Sequence, residues 1–293
     1  MQEGLIIKNI SNKYFVKSNN VIYECTARGK LKNEFISPVV GDKVLIEIMD
    51  ENKKEAVITR IEDRINCLRR PKISNITQII LVISAKMPSP DLNLLDMQIA
   101  IAEYLKIKPI IVINKIDLDN KTAQNIEKEY TNIGYKVIKT IAAENIGIDE
   151  IKGVLTNNIS VFSGNSGVGK STIVNKIFSG NITQEGEISL KNKRGKNTTT
   201  QVSLYEMDDN SYIADTPGFS TLEINEIESE DLQFYFKEFA PNIEKCEYIG
   251  CSHIKEENCG IKKAVNSRKI SIGRYERYKK IYETLKEKEK NKW

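Results

Sequence analysis

Gly164-Asn165-Ser166-Gly167-Val168-Gly169-Lys170-Ser171 decides the fold. The stretch is a full match to G-x-x-x-x-G-K-[ST], and it follows Ile159–Ser163, an apolar run that reads as a buried strand, and opens a helix. The glycines let consecutive backbone N–H groups curl into an anion cradle, and the helix offers its N-terminus to phosphate. In such a loop Lys170 reaches the β- and γ-phosphate oxygens and Ser171 ligates Mg²⁺, with Thr172 beside it in the phosphate-binding set. A glycine-rich turn with a solvent-facing lysine is the bland alternative, and the strand before and helix after count against it.

Outward from this loop the chain alternates strand and helix from Pro71 onward: a strand at Ile79–Ser84, a helix over Leu92–Leu105, and a strand at Ile110–Ile113. A helix near Thr122–Ile133 and a strand at Lys136–Thr140 follow. This is the pattern of a mostly parallel sheet covered by helices, whose ligands bind outside the carboxyl ends of the strands. Just after Ile113 stands Asn114-Lys115-Ile116-Asp117. A carboxylate accepts two hydrogen bonds side by side, which suits the two adjacent N–H donors of guanine, with Asn114 and Lys115 holding the loop and covering the base. Four residues alone make a weak match; at the end of a parallel strand, in a chain with a phosphate loop, they point to guanine. A further strand, Tyr212–Ala214, runs into Asp215-Thr216-Pro217-Gly218, where Asp215 can hold Mg²⁺ through water and the Gly218 amide can meet a γ-phosphate. Between the two lies the polar stretch Gly186 to Gln201, ending in Thr198-Thr199-Thr200; one of these hydroxyls, Thr199 by preference, is expected to complete the Mg²⁺ shell. The base-reading loop precedes the phosphate loop, the reverse of Ras-like GTPases, so the core is circularly permuted and its γ-phosphate-sensing segment feeds directly into the C-terminal region.

Residues 1–66 read as five short strands, Leu5–Ile10, Tyr14–Lys17, Val21–Arg28, Lys43–Met49 and Ala56–Ile61, separated by polar turns. Five strands in this span make a small barrel, with the oligonucleotide-binding (OB) type leading. From the strands alone, an SH3-like barrel or a docking module fits almost as well. At the other end, Cys246, Cys251, His253 and Cys259 fall in the spacing C-x₄-C-x-H-x₅-C. Three thiolates and one imidazole form a closed tetrahedral shell of the structural zinc type, a reduced thiol cluster being the alternative. Beyond it Tyr275, Tyr278, Tyr282 and Leu285 recur at helical spacing with Arg274, Arg277, Lys279 and Lys280 between them. Such a stripe is ordinarily a helix packing its apolar face, and the basic face could also follow a phosphate backbone.

The 293 residues contain five cysteines and one histidine, so Ser-His-Asp hydrolysis or a histidine-only metal site would have to run through His253 alone. The N-terminus lacks the plan of a signal peptide and no apolar run reaches about 18 residues, which leads us to expect a cytoplasmic protein without a membrane partner. In that compartment Cys25 and Cys67 are ordinary thiols. Residues 1–70 carry 13 basic and 10 acidic side chains (+3), residues 71–261 carry 19 and 26 (−7), and residues 262–293 carry 12 and 4 (+8). Two basic ends around an acidic middle suit a chain whose ends touch a polyanion.

With these residues in place, the whole chain resembles the circularly permuted, small-ribosomal-subunit-dependent GTPases of the RsgA family. The resemblance extends from Pro38-Val39-Val40-Gly41-Asp42 and Arg69-Arg70-Pro71, through the permuted core, to the Cys₃His segment and the tyrosine-rich tail. It implies an OB-fold RNA-binding domain over 1–68, a permuted P-loop GTPase domain over 69–222, and a helical zinc-binding domain with a basic last helix over 223–293. It also implies a monomer that uses GTP/GDP, Mg²⁺ and one zinc ion, binds the small ribosomal subunit and its rRNA during late maturation, and leaves on GTP hydrolysis. Two positions depart from simple expectation. Phe219, after Asp-x-x-Gly, cannot orient water, and Asn197 stands where the family's switch usually has histidine. An amide can orient water but cannot titrate near neutrality, so slow intrinsic turnover helped by the subunit, by Asn197, or by both is expected. The rival readings are an RNA-binding scaffold that nucleotide only stabilises, and a permuted GTPase acting on another RNA assembly.

Overall fold

The computed structural model describes residues 1–28, 37–69, 71–178, 202–208, 210–215 and 227–290. The chain divides into two compact units, one of residues 1–79, 148–163 and 171–220, the other of residues 80–147, 164–170 and 221–293.

The first unit begins with β1 (Gln2–Ile10), β2 (Lys13–Ser18), β3 (Val21–Ala27), β4 (Lys43–Asp50) and β5 (Glu55–Ile61). Their hydrogen-bonded order is β1-β2-β3-β5-β4, and β4 pairs back onto β1, so the sheet closes into a barrel, with β3 and β5 parallel. Alternation selects the inward set: Ile6, Val16, Tyr23, Cys25, Val44, Ile46, Ala56 and Ile58 are all buried. Burial pushes the Cys25 thiol up to about 12, which leaves it a small core residue. The five expected strands are thus present, and closure in the OB order settles the choice against an SH3-like barrel.

A short hairpin, β6 (Cys67–Arg69) and β7 (Lys72–Ser74), lies against the barrel through Asp42. This fully buried carboxylate accepts from Val39 N (2.8 Å), from Arg64 Nε and Nη2 (2.7 and 2.8 Å) and from Ser74 Oγ (2.6 Å). The preceding Gly41 has φ +91°, and a Cβ there would come within 2.1 Å of the Ser74 carbonyl oxygen. Together these contacts explain the Val-Gly-Asp sequence just before β4.

The same unit contains α3 (Ile148–Leu155), β11 (Ile159–Ser163), β12 (Ser203–Asp208) and β13 (Ser211–Asp215). β11 and β13 are parallel, whereas β12 is antiparallel to β13 and, at Lys8↔Ser203, antiparallel to β1 of the barrel. Lys17 and Glu206 form an ion pair between β2 and β12. The parallel sheet read from sequence therefore gains an antiparallel strand.

β8 (Gln78–Ser84), with all seven residues buried, leads into the second unit, where β9 (Lys108–Asn114) and β10 (Lys136–Thr140) run parallel to each other. α1 (Leu92–Tyr104) and α2 (Asn120–Thr131) are N-capped by Asp91 and Asp119, whose carboxylates accept from Leu94 N and Thr122 N. The unit ends in α5 (Ala240–Ile243), α6 (Gly260–Asn266) and α7 (Ile272–Lys290). Of the stripe read at helical spacing, Tyr275, Tyr278 and Leu285 on α7 are buried, whereas Tyr282 is half-buried and Ile281 takes the inward position beside it. Among the described residues no helix is long and apolar enough to cross a membrane.

Candidate active site and metal centre

The phosphate loop joins β11 to α4 (Lys170–Phe178). Gly164, Gly167 and Gly169 have φ of +141°, +79° and +102°, the region that favours glycine. Space as well as torsion requires two of them. A Cβ on Gly164 would lie 2.1 Å from the Val82 carbonyl oxygen, and one on Gly169 would lie 2.2 Å from Asn114 Nδ2. Lys170 Nζ donates to the carbonyls of Gly164 (2.6 Å) and Asn165 (2.8 Å), so the ammonium arches over the loop, and partial burial lowers its pKa.

β9 delivers the base-reading residues to this loop. Asn114 is buried; its Nδ2 donates to Val168 O (2.9 Å), while Oδ1 accepts from Thr140 Oγ1 and Ala142 N, both at 3.0 Å. Lys115, at φ +59°, sends Nζ to Gly167 O (2.7 Å) and Met87 O (2.5 Å). Both side chains thereby splice the base-reading turn to the phosphate loop across more than 50 residues of sequence. Two aspartates follow with different fates. Asp119 is committed to the α2 cap, which lowers its pKa through the Thr122 amide and hydroxyl, whereas Asp117 is exposed with its carboxylate available to a ligand.

Ser166 is exposed, as are Ser171 and Thr172 on the first turn of α4, and Val168 is buried. Asp215 is the last residue of β13, its backbone registered with Ser203. Asn197, Thr198, Thr199, Thr200, Gly218 and Phe219 lie outside the described residues. Motif reading missed Thr140–Ala142, the segment that orients the Asn114 amide. Its signal was the end of β10, where Thr140 is registered with Asn114, followed by Gly147 at φ +79°.

The second cluster is assembled from loops around α6. The ligand atoms of Cys246, Cys251, His253 and Cys259 all lie within 4.8 Å of one another. His253 Nδ1 is 3.2 Å from Cys259 Sγ and 3.6 Å from Cys246 Sγ, and the two sulfurs are 3.9 Å apart. Zinc bonds of about 2.3 Å to sulfur and about 2.0 Å to nitrogen in a tetrahedron put such atoms about 3.5–3.8 Å apart, so the donor set fits zinc. The outer shell agrees. His253 Nε2 donates to Gln233 Oε1 (2.9 Å), which turns the Nδ1 lone pair toward the sulfurs, and the amides of Gly260 and Lys262 donate to Cys246 Sγ and Cys259 Sγ. Burial lowers His253 to about 4 and raises Cys251 to about 12, so loading a dication would displace thiol protons, not an imidazolium proton. Tyr275 and Tyr278 on α7 donate their hydroxyls to the carbonyls of His253 (2.6 Å) and Ser252 (3.1 Å), and Phe239 meets the imidazole edge to face.

The arginines between those tyrosines do not form a free basic face. Arg274 is fully buried and Arg277 nearly so, each paired with carboxylates of the same unit, which leaves only Lys279 and Lys280 of the four at the surface side of α7.

Comparison with known proteins agrees along the whole chain. Residues 3–58 match the RsgA N-terminal domain family and residues 61–225 the RsgA GTPase family. The small ribosomal subunit biogenesis GTPase RsgA of Clostridium botulinum is 43% identical over 293 residues, covering 99% of this chain and 100% of that protein. Its counterpart in Ruminiclostridium cellulolyticum is 41% identical over 289 residues, covering 98% and 95%. Among solved structures, YjeQ from Thermotoga maritima superposes with a TM-score of 0.86 at 34% identity, covering 97% of this chain and 98% of that one. YloQ, described as a circularly permuted GTPase, gives 0.83 at 34% identity, covering 98% and 96%. With family models matching from residue 3 to residue 225 and relatives more than 40% identical over nearly the whole chain, the chain belongs to the RsgA family of GTPases.

Proposed function

We propose that this GTP hydrolase acts in late maturation of the small ribosomal subunit, binding the subunit and its rRNA while GTP is present and leaving once it is hydrolysed. The observation that carries the reading is the direct bonding of Asn114 and Lys115 to the carbonyls of Val168 and Gly167, which supports a single nucleotide site built from the permuted motifs. The names of its relatives supply the subunit; the two basic ends of the chain supply a surface for rRNA. We assign residues 1–68 and 223–293 to subunit contact and 69–222 to the nucleotide, in a monomer working in the cytoplasm.

In this reading the backbone amides from Gly164 to Gly169 cradle the phosphates and Lys170 balances charge on the transferring phosphoryl group. Ser171, Asp215 and Thr199 would hold Mg²⁺, which when bound neutralises the β- and γ-oxygens. The Gly218 amide senses the third phosphate, and Asn197 orients water where the family usually has histidine. Zinc would be held by the four-residue centre as a structural ion.

Phosphate release measured with and without purified small subunits, with large subunits as control, tests the assignment. Stimulation by small subunits alone is expected. Equal stimulation by both subunits would favour another RNA assembly, and tight GTP binding with no turnover under any condition would favour a scaffold. Base choice has its own prediction. Asp117→Asn exchanges a two-acceptor carboxylate for one acceptor and one donor, and should weaken GDP by about 100-fold, about 3 kcal/mol, while improving xanthine nucleotides. Nucleotide titration reads both, and unchanged GDP affinity would remove the assignment of that exposed carboxylate.

A further inference from the structure

α7 buries charge where a hydrophobic helix face would pack more simply. Arg274 has no exposure; its Nη1 bonds Asp96, and its Nε and Nη2 bond the two oxygens of Glu238 at 2.7 and 3.2 Å. Its guanidinium lies over the Phe236 ring at 4.4 Å. Arg277 Nε bonds the other oxygen of Asp96, and its Nη2 bonds Glu129 Oε2 at 2.8 Å. Asp96, itself fully buried, also accepts from the Tyr130 hydroxyl. Buried ionic clusters of this kind add little stability over well-packed apolar side chains, and their best-attested use is to specify one arrangement.

What is specified follows from where the acids sit. Asp96 is on α1, whose preceding segment gives its Met87 carbonyl to Lys115. Glu129 and Tyr130 are in the last turn of α2, which starts at its Asp119 cap two residues after Asp117. One residue of α7, Arg277, thus ties together the two helices that flank the base-reading turn.

Resting on the nucleotide assignment above, we propose that Arg277, with Arg274 behind it, is a positioning residue for the guanine site, setting α1 against α2 so that Lys115 and Asp117 are held in register with the phosphate loop. The relation is reciprocal: nucleotide that tightens the turn also tightens the seat of α7, the helix whose Tyr275 and Tyr278 grip the metal loop.

The test uses the full zinc-loaded chain and GDP. Arg277→Gln removes both ionic contacts of a side chain only 13% exposed, and Arg277→Lys keeps the charge but can reach one acceptor. GDP affinity by titration should fall about 5- to 50-fold in Arg277→Gln, with Arg277→Lys intermediate. Hydrogen exchange across Ile272–Lys290 should slow on adding GDP to the parent protein, and this slowing should vanish in Arg277→Gln. A lower melting temperature with unchanged GDP affinity would make the cluster merely structural and overturn the proposal, as would exchange in α7 indifferent to GDP in the parent. A parent chain that binds no GDP at all would instead overturn the nucleotide assignment, and the positioning role with it.

Discussion

Lys170→Ala should leave a folded, zinc-competent protein whose small-subunit-stimulated phosphate release is slower by about 10²–10³-fold, the usual loss on deleting one preorganised charge donor at a developing anion. The argument rests on how the ammonium is held. It bonds the Gly164 and Asn165 carbonyls, and burial lowers its pKa, so the loop bears a desolvated cation that a phosphate chain would compensate. Removing it relieves that desolvation and leaves the loop's glycine torsions and the Asn114 bond to Val168 in place. Thermal melting should therefore move little while turnover collapses. Turnover within tenfold of the parent would show that Lys170 is not the charge that matters.

Loss of zinc should have the larger effect on stability. The chain should hold one zinc ion, and a strong chelator, or Cys259→Ala, should lower the melting midpoint by about 10 °C or more, since structural zinc contributes many kcal/mol in small modules. Cys259 carries two roles, because its sulfur is also the N-terminal cap of α6, accepting from Lys262 N. His253, the only histidine, is seated between Phe239, Tyr278 and the Gln233 amide, so an empty centre leaves this imidazole, the buried Cys251 and Cys259 and the half-buried Cys246 with no ion to organise the loop. The bond from Asn114 to Val168 uses no residue of these loops, so GDP binding should persist, weakened by no more than the about 5- to 50-fold expected of Arg277→Gln. A metal-free chain melting at the parent temperature would deny the centre its structural role.

Much of the site was legible because its chemistry is local in sequence. A phosphate loop needs consecutive glycines, a base-reading turn needs its aspartate at a fixed offset, and four soft ligands within 14 residues leave few other readings. The barrel strands were legible because alternation of buried and exposed residues is a two-residue signal. What escaped depends on partners distant in sequence. Thr140 reaches the Asn114 amide only because β10 lies in register beside β9. The hairpin at Cys67–Arg69 and Lys72–Ser74 is too short to show a period, and α3 (Ile148–Leu155), with Gly153 inside it, hardly exceeds two turns. Arg274 and Arg277 look like solvated charges on a basic helix, and only the placement of Asp96, about 180 residues earlier, turns them inward.

The pairing of Lys8 with Ser203 has a consequence for how the protein can be taken apart. An antiparallel strand at the margin of a sheet offers unpaired backbone groups to any passing chain, and small globular proteins usually blunt such a margin with charge or cover. Here β12 is covered by the barrel itself, with Lys17 and Glu206 as a charged clasp beside the shared hydrogen bonds. The barrel is therefore more than an appended module: it is the chaperoning edge of the sheet that carries Asp215, and cutting it away would strip β12 of that cover.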